Sequence, residues 1–147
     1  YNNVVISTRL TPDMPFIRFS PSELQQVILN LTNNAIDAMG KDGGTVDIVT
    51  GLNAGDGNMI EIKVEDNGPG ISAQYLDRIF EPFFTTKAVG KGTGLGLSIC
   101  YGIIQKMGGT IEVESQVGQG TSFFIRLPVN IRQAAKATTT DTATAMN

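Results

Sequence analysis

The sequence predicts an α/β fold, and three observations carry that prediction. An apolar stripe at helical spacing runs through "SPSELQQVILNLTNNAIDAM". Period-two alternation fills "TVDIVT" and "MIEIKVED". A second helical pattern, "LGLSICYGIIQKM", leads into a strand pair, "GTIEVESQVGQGTSFFIRLP". At 147 residues and 41% hydrophobic, the chain suits one domain with a single packed core.

In chain order, "VVIST" and "PFIRF" read as short strands. Ser20 then stands at a helix N-cap with Pro21 at the first helical position, and Glu23 completes an S-x-x-E capping box. Phe19 and Leu24 are placed to form a hydrophobic staple. Leu24, Val27, Ile28, Leu31, Ala35 and Met39 make the apolar stripe, and Gly40 with "KDGG" stops the helix. The two alternating strands follow, joined by a turn in "GLNAGDGN". A short helix is expected near "AQYLDRIF", and a longer one from about Leu95 to Met107. The closing hairpin ends the domain, expected over residues 1–130, and the Thr/Ala-rich stretch 131–147 reads as a low-complexity tail or linker.

Bulk properties exclude several functions. Eleven Lys and Arg stand against 14 Asp and Glu, a net charge of −3, so no footprint for duplex nucleic acid is visible. Cys100 is the one cysteine, so no internal disulfide is available, and its apolar helical setting reads as a buried thiol. No membrane-length apolar run and no signal peptide is present, and the chain starts mid-pattern without an initiator Met. It is expected to be an excised, cytoplasmic, monomeric domain without membrane contact of its own. It contains no histidine, which removes His-based metal sites, Ser–His or Cys–His pairs, and any phosphohistidine on this chain.

Three stretches carry candidate chemistry. Glu23, Asn30, Asn34 and Asp37 line one edge of the first helix's apolar stripe at ~100° per residue. They fit either a solvated flank or the rim of a cavity in which an amide oxygen ligates Mg²⁺. Asparagine is a mediocre helix former, so Asn30, Asn33 and Asn34 in mid-helix favour a functional reason. Asp66 continues the inward parity of Ile60, Ile62 and Val64, which aims a carboxylate at the end of a buried face just before "NGPG". That arrangement fits an Asx-type turn, and it fits an acceptor for a ligand donor such as the adenine amine, with Gly68 and Gly70 admitting the ligand. In "FTTKAVGKGTGLGLS", alternate glycines from Gly90 to Gly96, with Lys87 before them and Lys91 among them, lead into a helix start. The stretch fits a surface loop, or a cradle for anionic oxygen. "GPGISA" resembles a dinucleotide fingerprint but lacks the acidic residue required about 20 positions on. "VGKGTG" is no Walker A, because Gly92 follows Lys91 where Ser or Thr is needed.

In order, "NLTNNAIDAM", "DNGPGI", "IFEPFFTTK", "GKGTGLGLS" and "GQGTSFFIRLP" closely resemble the ATP-binding catalytic domain of bacterial sensor histidine kinases: its asparagine, first glycine, phenylalanine and second glycine boxes and its final Gly-x-Gly-Thr strand. The resemblance covers roughly residues 10–128, and "EPFFTTK" looks most like the nitrogen-regulation-type subgroup. It implies the Bergerat (GHKL) fold: a two-layer sandwich with a mixed, mostly antiparallel sheet, helices on one face and a mobile ATP lid. It implies that Asn34 holds Mg²⁺ with Asn30 one turn before it, and that Asp66 takes the adenine amine beside Gly68, Gly70 and Ile71. Phe80 to Lys91 would form the lid, anchored by at least one of Phe80, Phe83 and Phe84, with Lys87 reaching the outer phosphates. Gly92, Thr93, Gly94, Leu95, Gly96 and Leu97 would wrap the triphosphate, and Thr121 would support the adenine end.

One departure stands out. Many relatives carry a basic residue three places after the metal-binding Asn, next to an aromatic; this chain has Asp37 and Ala38, which shifts phosphate neutralisation onto Lys87, Lys91 and the metal. ATPases of the same fold place a Glu, the base for water, where this chain has Asn30, and an amide takes no proton at neutral pH. The resemblance therefore implies transfer of the γ-phosphoryl of Mg·ATP to a histidine on a separate dimerisation domain, and onward to a response regulator. A nucleotide-sensing module without kinase activity is the alternative, and an ATP-hydrolysing clamp is disfavoured by Asn30.

Overall fold

The computed structural model describes residues 3–15, 17, 19–52, 59–85 and 95–129. Strand β1 (Val4–Arg9) is followed by helix α1 (Pro21–Met39), a single 3-10 turn at Gly40–Asp42, and strands β2 (Gly44–Leu52) and β3 (Met59–Asp66). The short helix α2 (Ala73–Leu76), helix α3 (Gly96–Lys106) and strands β4 (Thr110–Gln116) and β5 (Gly120–Pro128) complete the order. The strands form one mixed sheet, β1-β2-β3-β5-β4, with β1 parallel to β2 and the other pairs antiparallel. This is the expected two-layer α/β architecture.

Alternation decides which face of the sheet is covered. Ile62 and Val64 of β3, Ile111 of β4, and Phe123, Ile125 and Leu127 of β5 are buried in one core. α1 adds Val27, Leu31, Ala35 and Met39 to that core, and α3 adds Cys100, Ile103 and Ile104. Both helices therefore lie on the same face. Each fully buried aliphatic side chain there contributes about 1.5–3 kcal/mol. The opposite face is polar: Arg126 on β5 pairs with Glu61 on β3 and Glu112 on β4, each at 2.9 Å.

The α1 start follows its local signals. The Ser20 hydroxyl accepts from Glu23 N at 3.4 Å, and Pro21 opens the helix. The Glu23 carboxylate reaches across to Lys106 at the end of α3, at 3.3 Å. Cys100 is fully buried, as read from the sequence, and burial pushes its thiol up to about 11.

One strand expectation fails. Pro15, Ile17 and Phe19 of "PFIRF" join no strand. β1 is the sheet's edge strand, and these residues do not pair with it. Ile17 instead packs against the hydrophobic core. β2 also extends past the "TVDIVT" segment, through Leu52, and α2 is limited to Ala73–Leu76.

Thr32 sits on the buried side of α1 at 8% exposure, and its hydroxyl has no hydrogen-bond partner among the described residues. Thr32→Val keeps the shape and removes the unpaired group. It is expected to stabilise the fold by about 1 kcal/mol. Thermal denaturation reads this as a midpoint raised by roughly 3 °C; a lowered midpoint would mean that the hydroxyl is paired.

Candidate nucleotide site

The site begins at the end of β3. Ile60, Ile62, Val64 and Asp66 alternate inward, and Asp66 is only 9% exposed. Its Oδ1 accepts the Gly68 N–H at 2.8 Å, so the Asx-type turn is present. Burial raises the Asp66 carboxyl above the ordinary range. Backbone hydrogen bonds from Gly68 and Thr121 oppose that rise, and the nearby Glu65 charge adds to it. Thr121 lies directly opposite Asp66 in the β3–β5 register and is 6% exposed.

The turn after Asp66 is docked on the β4–β5 hairpin. Ile71 N donates to Ser115 Oγ at 2.7 Å, and Gly118 N donates to the Pro69 carbonyl at 2.9 Å. Gly70 has φ +79°, and a Cβ there would meet the Gln116 carbonyl at 2.3 Å, so only glycine fits. An open cleft of about 350 Å³ lies at this end of the sheet, lined by Asp66, Ser115, Gly120 and Thr121 together with Glu65, Glu114 and Ser122 of the opposite face.

The second wall is where α1 meets α3. Asn30 Nδ2 donates to the Gly96 carbonyl at 3.4 Å, which brings together residues 66 apart in sequence. Asn34 lies one turn on and is half-buried, whereas Asn33 is exposed. Leu97 packs against the core. The two helix starts differ: Ser20 caps α1, while the N-cap of α3 is Leu95, with no side-chain cap. First-turn N–H groups without a cap are the kind that receive anionic oxygen. Lys87, Lys91, Gly92, Thr93 and Gly94, and most of the expected lid, lie outside the described residues.

Of the three phenylalanines expected to include an anchor, Phe80 and Phe84 pack against the body. Phe80 packs against the core, with ring centroids 5.6 Å from Tyr101 and 6.3 Å from Phe123. Phe84 meets Tyr75 at 5.8 Å, and the Arg78 guanidinium lies 4.5 Å from its ring centre. Phe83 is 74% exposed.

The described part of this site fits a nucleotide, with a buried acceptor at Asp66 and the half-buried amide of Asn34. Among the described residues no group of three or more His, Cys, Asp or Glu side chains is arranged to hold a metal. The Gly68 position is narrow, because a Cβ there would lie 3.0 Å from Asp66 Oδ1 and 3.2 Å from Met39 Cγ. Sequence reasoning missed Ser115. Its signal was parity: Ser115 follows Ile111 and Val113 inward on β4, just as Asp66 follows Val64 on β3.

The family of histidine kinase-, DNA gyrase B- and HSP90-like ATPases matches residues 20–131. Sensor histidine kinase ZraS of Escherichia coli is 48% identical over 132 residues, covering 88% of this chain and 27% of ZraS. Sporulation kinase A of Bacillus subtilis is 42% identical over 127 residues, covering 86% of this chain and 20% of the kinase. The chain thus spans about a quarter of these relatives. Among solved structures, the nucleotide-free catalytic domain of histidine kinase ThkA superposes with a TM-score of 0.73 at 32% identity, covering 87% of this chain and 82% of that one. Full-length ShkA, solved in complex with AMPPNP, gives a TM-score of 0.76 at 30% identity, covering 88% of this chain and 26% of ShkA. The chain belongs to the histidine kinase-, DNA gyrase B- and HSP90-like ATPase family, and within it to the catalytic domains of sensor histidine kinases.

Proposed function

We propose that this domain binds Mg·ATP and delivers the γ-phosphoryl group to a histidine on a separate helical dimerisation domain, from which it passes to a response regulator. The observation that carries the reading is the buried Asp66 carboxylate, held by the Gly68 N–H at the mouth of the core. It offers acceptor oxygens where a base amine would enter. Asn34 gives an amide oxygen to Mg²⁺, and Asn30 braces the first turn of α3 through the Gly96 carbonyl. Leu95, Gly96 and Leu97 are assigned to the phosphates; Lys87, Gly92, Thr93 and Gly94, assigned the same role by the resemblance, lie outside the described residues. When bound, the nucleotide supplies the phosphoryl group and Mg²⁺ spreads its charge. The chain's own work is then positioning and charge stabilisation. A histidine nucleophile needs no general base, which suits an amide at position 30.

The reading places the domain in the cytoplasm, beside the response regulator. Among the described residues no helix is long and apolar enough to cross a membrane. Residues 1–130 act as the catalytic unit, monomeric when isolated, with 131–147 as a linker or tail.

Calorimetric titration tests the binding step. ATP is expected to bind with Mg²⁺ present and about tenfold or more weaker after chelation, and Asn34→Ala should erase that difference. Equal affinity with and without Mg²⁺ would remove Asn34 from the metal.

A further inference from the structure

Asp66, Thr121 and Ser115 stand side by side across β3, β5 and β4, since Thr121 is the register partner of both others. They form a polar row at the end of an apolar face, whose next row is Val64, Phe123 and Val113. Ser115 Oγ has three neighbours: the Ile71 N–H at 2.7 Å, Thr121 Oγ1 at 2.8 Å and the Gly120 carbonyl at 2.9 Å. A hydroxyl has one proton and two lone pairs. The Ile71 N–H can only donate, and the Gly120 carbonyl can only accept. Ser115 must therefore give its proton to Gly120. All three contacts are then hydrogen bonds only if Thr121 gives its own proton to Ser115. Every capacity of the Ser115 hydroxyl is used, and Thr121 keeps lone pairs alone.

We infer that Ser115 is a specificity-determining positioning residue: it turns the Thr121 hydroxyl so that Thr121 and Asp66 both present acceptors to the base. The site then reads a 6-aminopurine, whose exocyclic group donates, and rejects a 6-oxopurine, whose oxygen would face two acceptors. The inference rests on the nucleotide-binding reading above and goes further, naming the residue that sets base choice. Rejection of a wrong polar edge is costly to the ligand because buried acceptors are left without donors.

The test is a double-mutant cycle read as the ratio of ATP to GTP affinity, with thermal denaturation to establish folding. Ser115→Ala frees the Thr121 proton to point at the base. It is expected to lower the ratio about tenfold. Ser115→Thr, which restores a hydroxyl, should return the ratio towards that of the unmodified chain. In a Thr121→Val background, Ser115→Ala should lower the ratio no further, because the group it orients is gone. Should the alanine variant fail to fold, Ser115→Cys offers a weak donor and acceptor of similar size and is expected to lower the ratio likewise. A folded Ser115→Ala or Ser115→Cys chain with an unchanged ratio would overturn the inference. So would an equal further loss in the Thr121→Val background, which marks a role independent of Thr121. Failure of the unmodified chain to bind ATP at all would instead overturn the underlying nucleotide reading.

Discussion

Asp66→Asn is expected to weaken ATP binding about 100-fold while leaving the fold intact, the loss matching a charge-assisted hydrogen bond turned into a misaligned donor. The stability of the variant should move the other way. Burial raises the Asp66 carboxyl above its ordinary value, so the folded chain holds this proton to higher pH than the unfolded chain does. The group's contribution to stability is then greatest below the ordinary carboxylate range. It falls as pH rises through the window up to the raised value. Asparagine does not titrate, so the variant should match or exceed the unmodified chain in stability at neutral pH. In the unmodified chain, ATP affinity should fall as pH drops through the same window, because a protonated carboxyl loses acceptor capacity. Calorimetry paired with thermal melting checks both halves. Unchanged ATP affinity in a folded variant would remove Asp66 from the site.

Gly120→Ala should produce the largest loss of stability. Gly120 has φ +122°, and a Cβ there would lie 2.0 Å from the Asp66 carbonyl oxygen and 3.0 Å from Asn67 Cα. Both obstacles are backbone, at the last residue of β3 and the residue after it, and they cannot yield without opening the Asp66–Thr121 register. Strained backbone and steric overlap together are expected to cost about 3 kcal/mol or more. The melting midpoint should fall by roughly 10 °C. Gly102 is the internal control: it lies in α3, and a methyl group added there would meet nothing within 4 Å. Gly102→Ala should stabilise by about 0.5–1 kcal/mol. The same substitution thus has opposite signs at two glycines. A Gly120→Ala chain as stable as the unmodified one would mean that β5 is not pinned against β3 at this point.

Local chemistry explains which parts of this molecule could be read in advance. The start of α1 was legible because its signals, Ser20 and Pro21, act on adjacent backbone groups. Asp66 was legible because a carboxylate at an inward strand position is too costly to be accidental. Ser115 occupies an equally inward position, but a serine there carries little cost, and its meaning depends on the β4–β5 register that sets it beside Thr121. The bond from Asn30 to Gly96 was out of reach for a similar reason: helix periodicity places Asn30 on an edge without saying what faces that edge. "PFIRF" misled because β-branched and aromatic composition marks suitability for a strand, while tertiary packing decides where the segment goes, here with Ile17 against the core.

The most direct measurement of the central claim is phosphoryl transfer from ATP labelled in its γ-phosphate. The chain alone, with Mg²⁺, is expected to remain unlabelled, because it contains no histidine to accept the group. It is also expected to release phosphate slowly, because Asn30 cannot activate water. Adding a histidine-bearing dimerisation domain should place acid-labile label on that domain, and Asp66→Asn should prevent it. Rapid phosphate release by the chain alone, or an unlabelled histidine domain in the presence of bound ATP, would contradict the account.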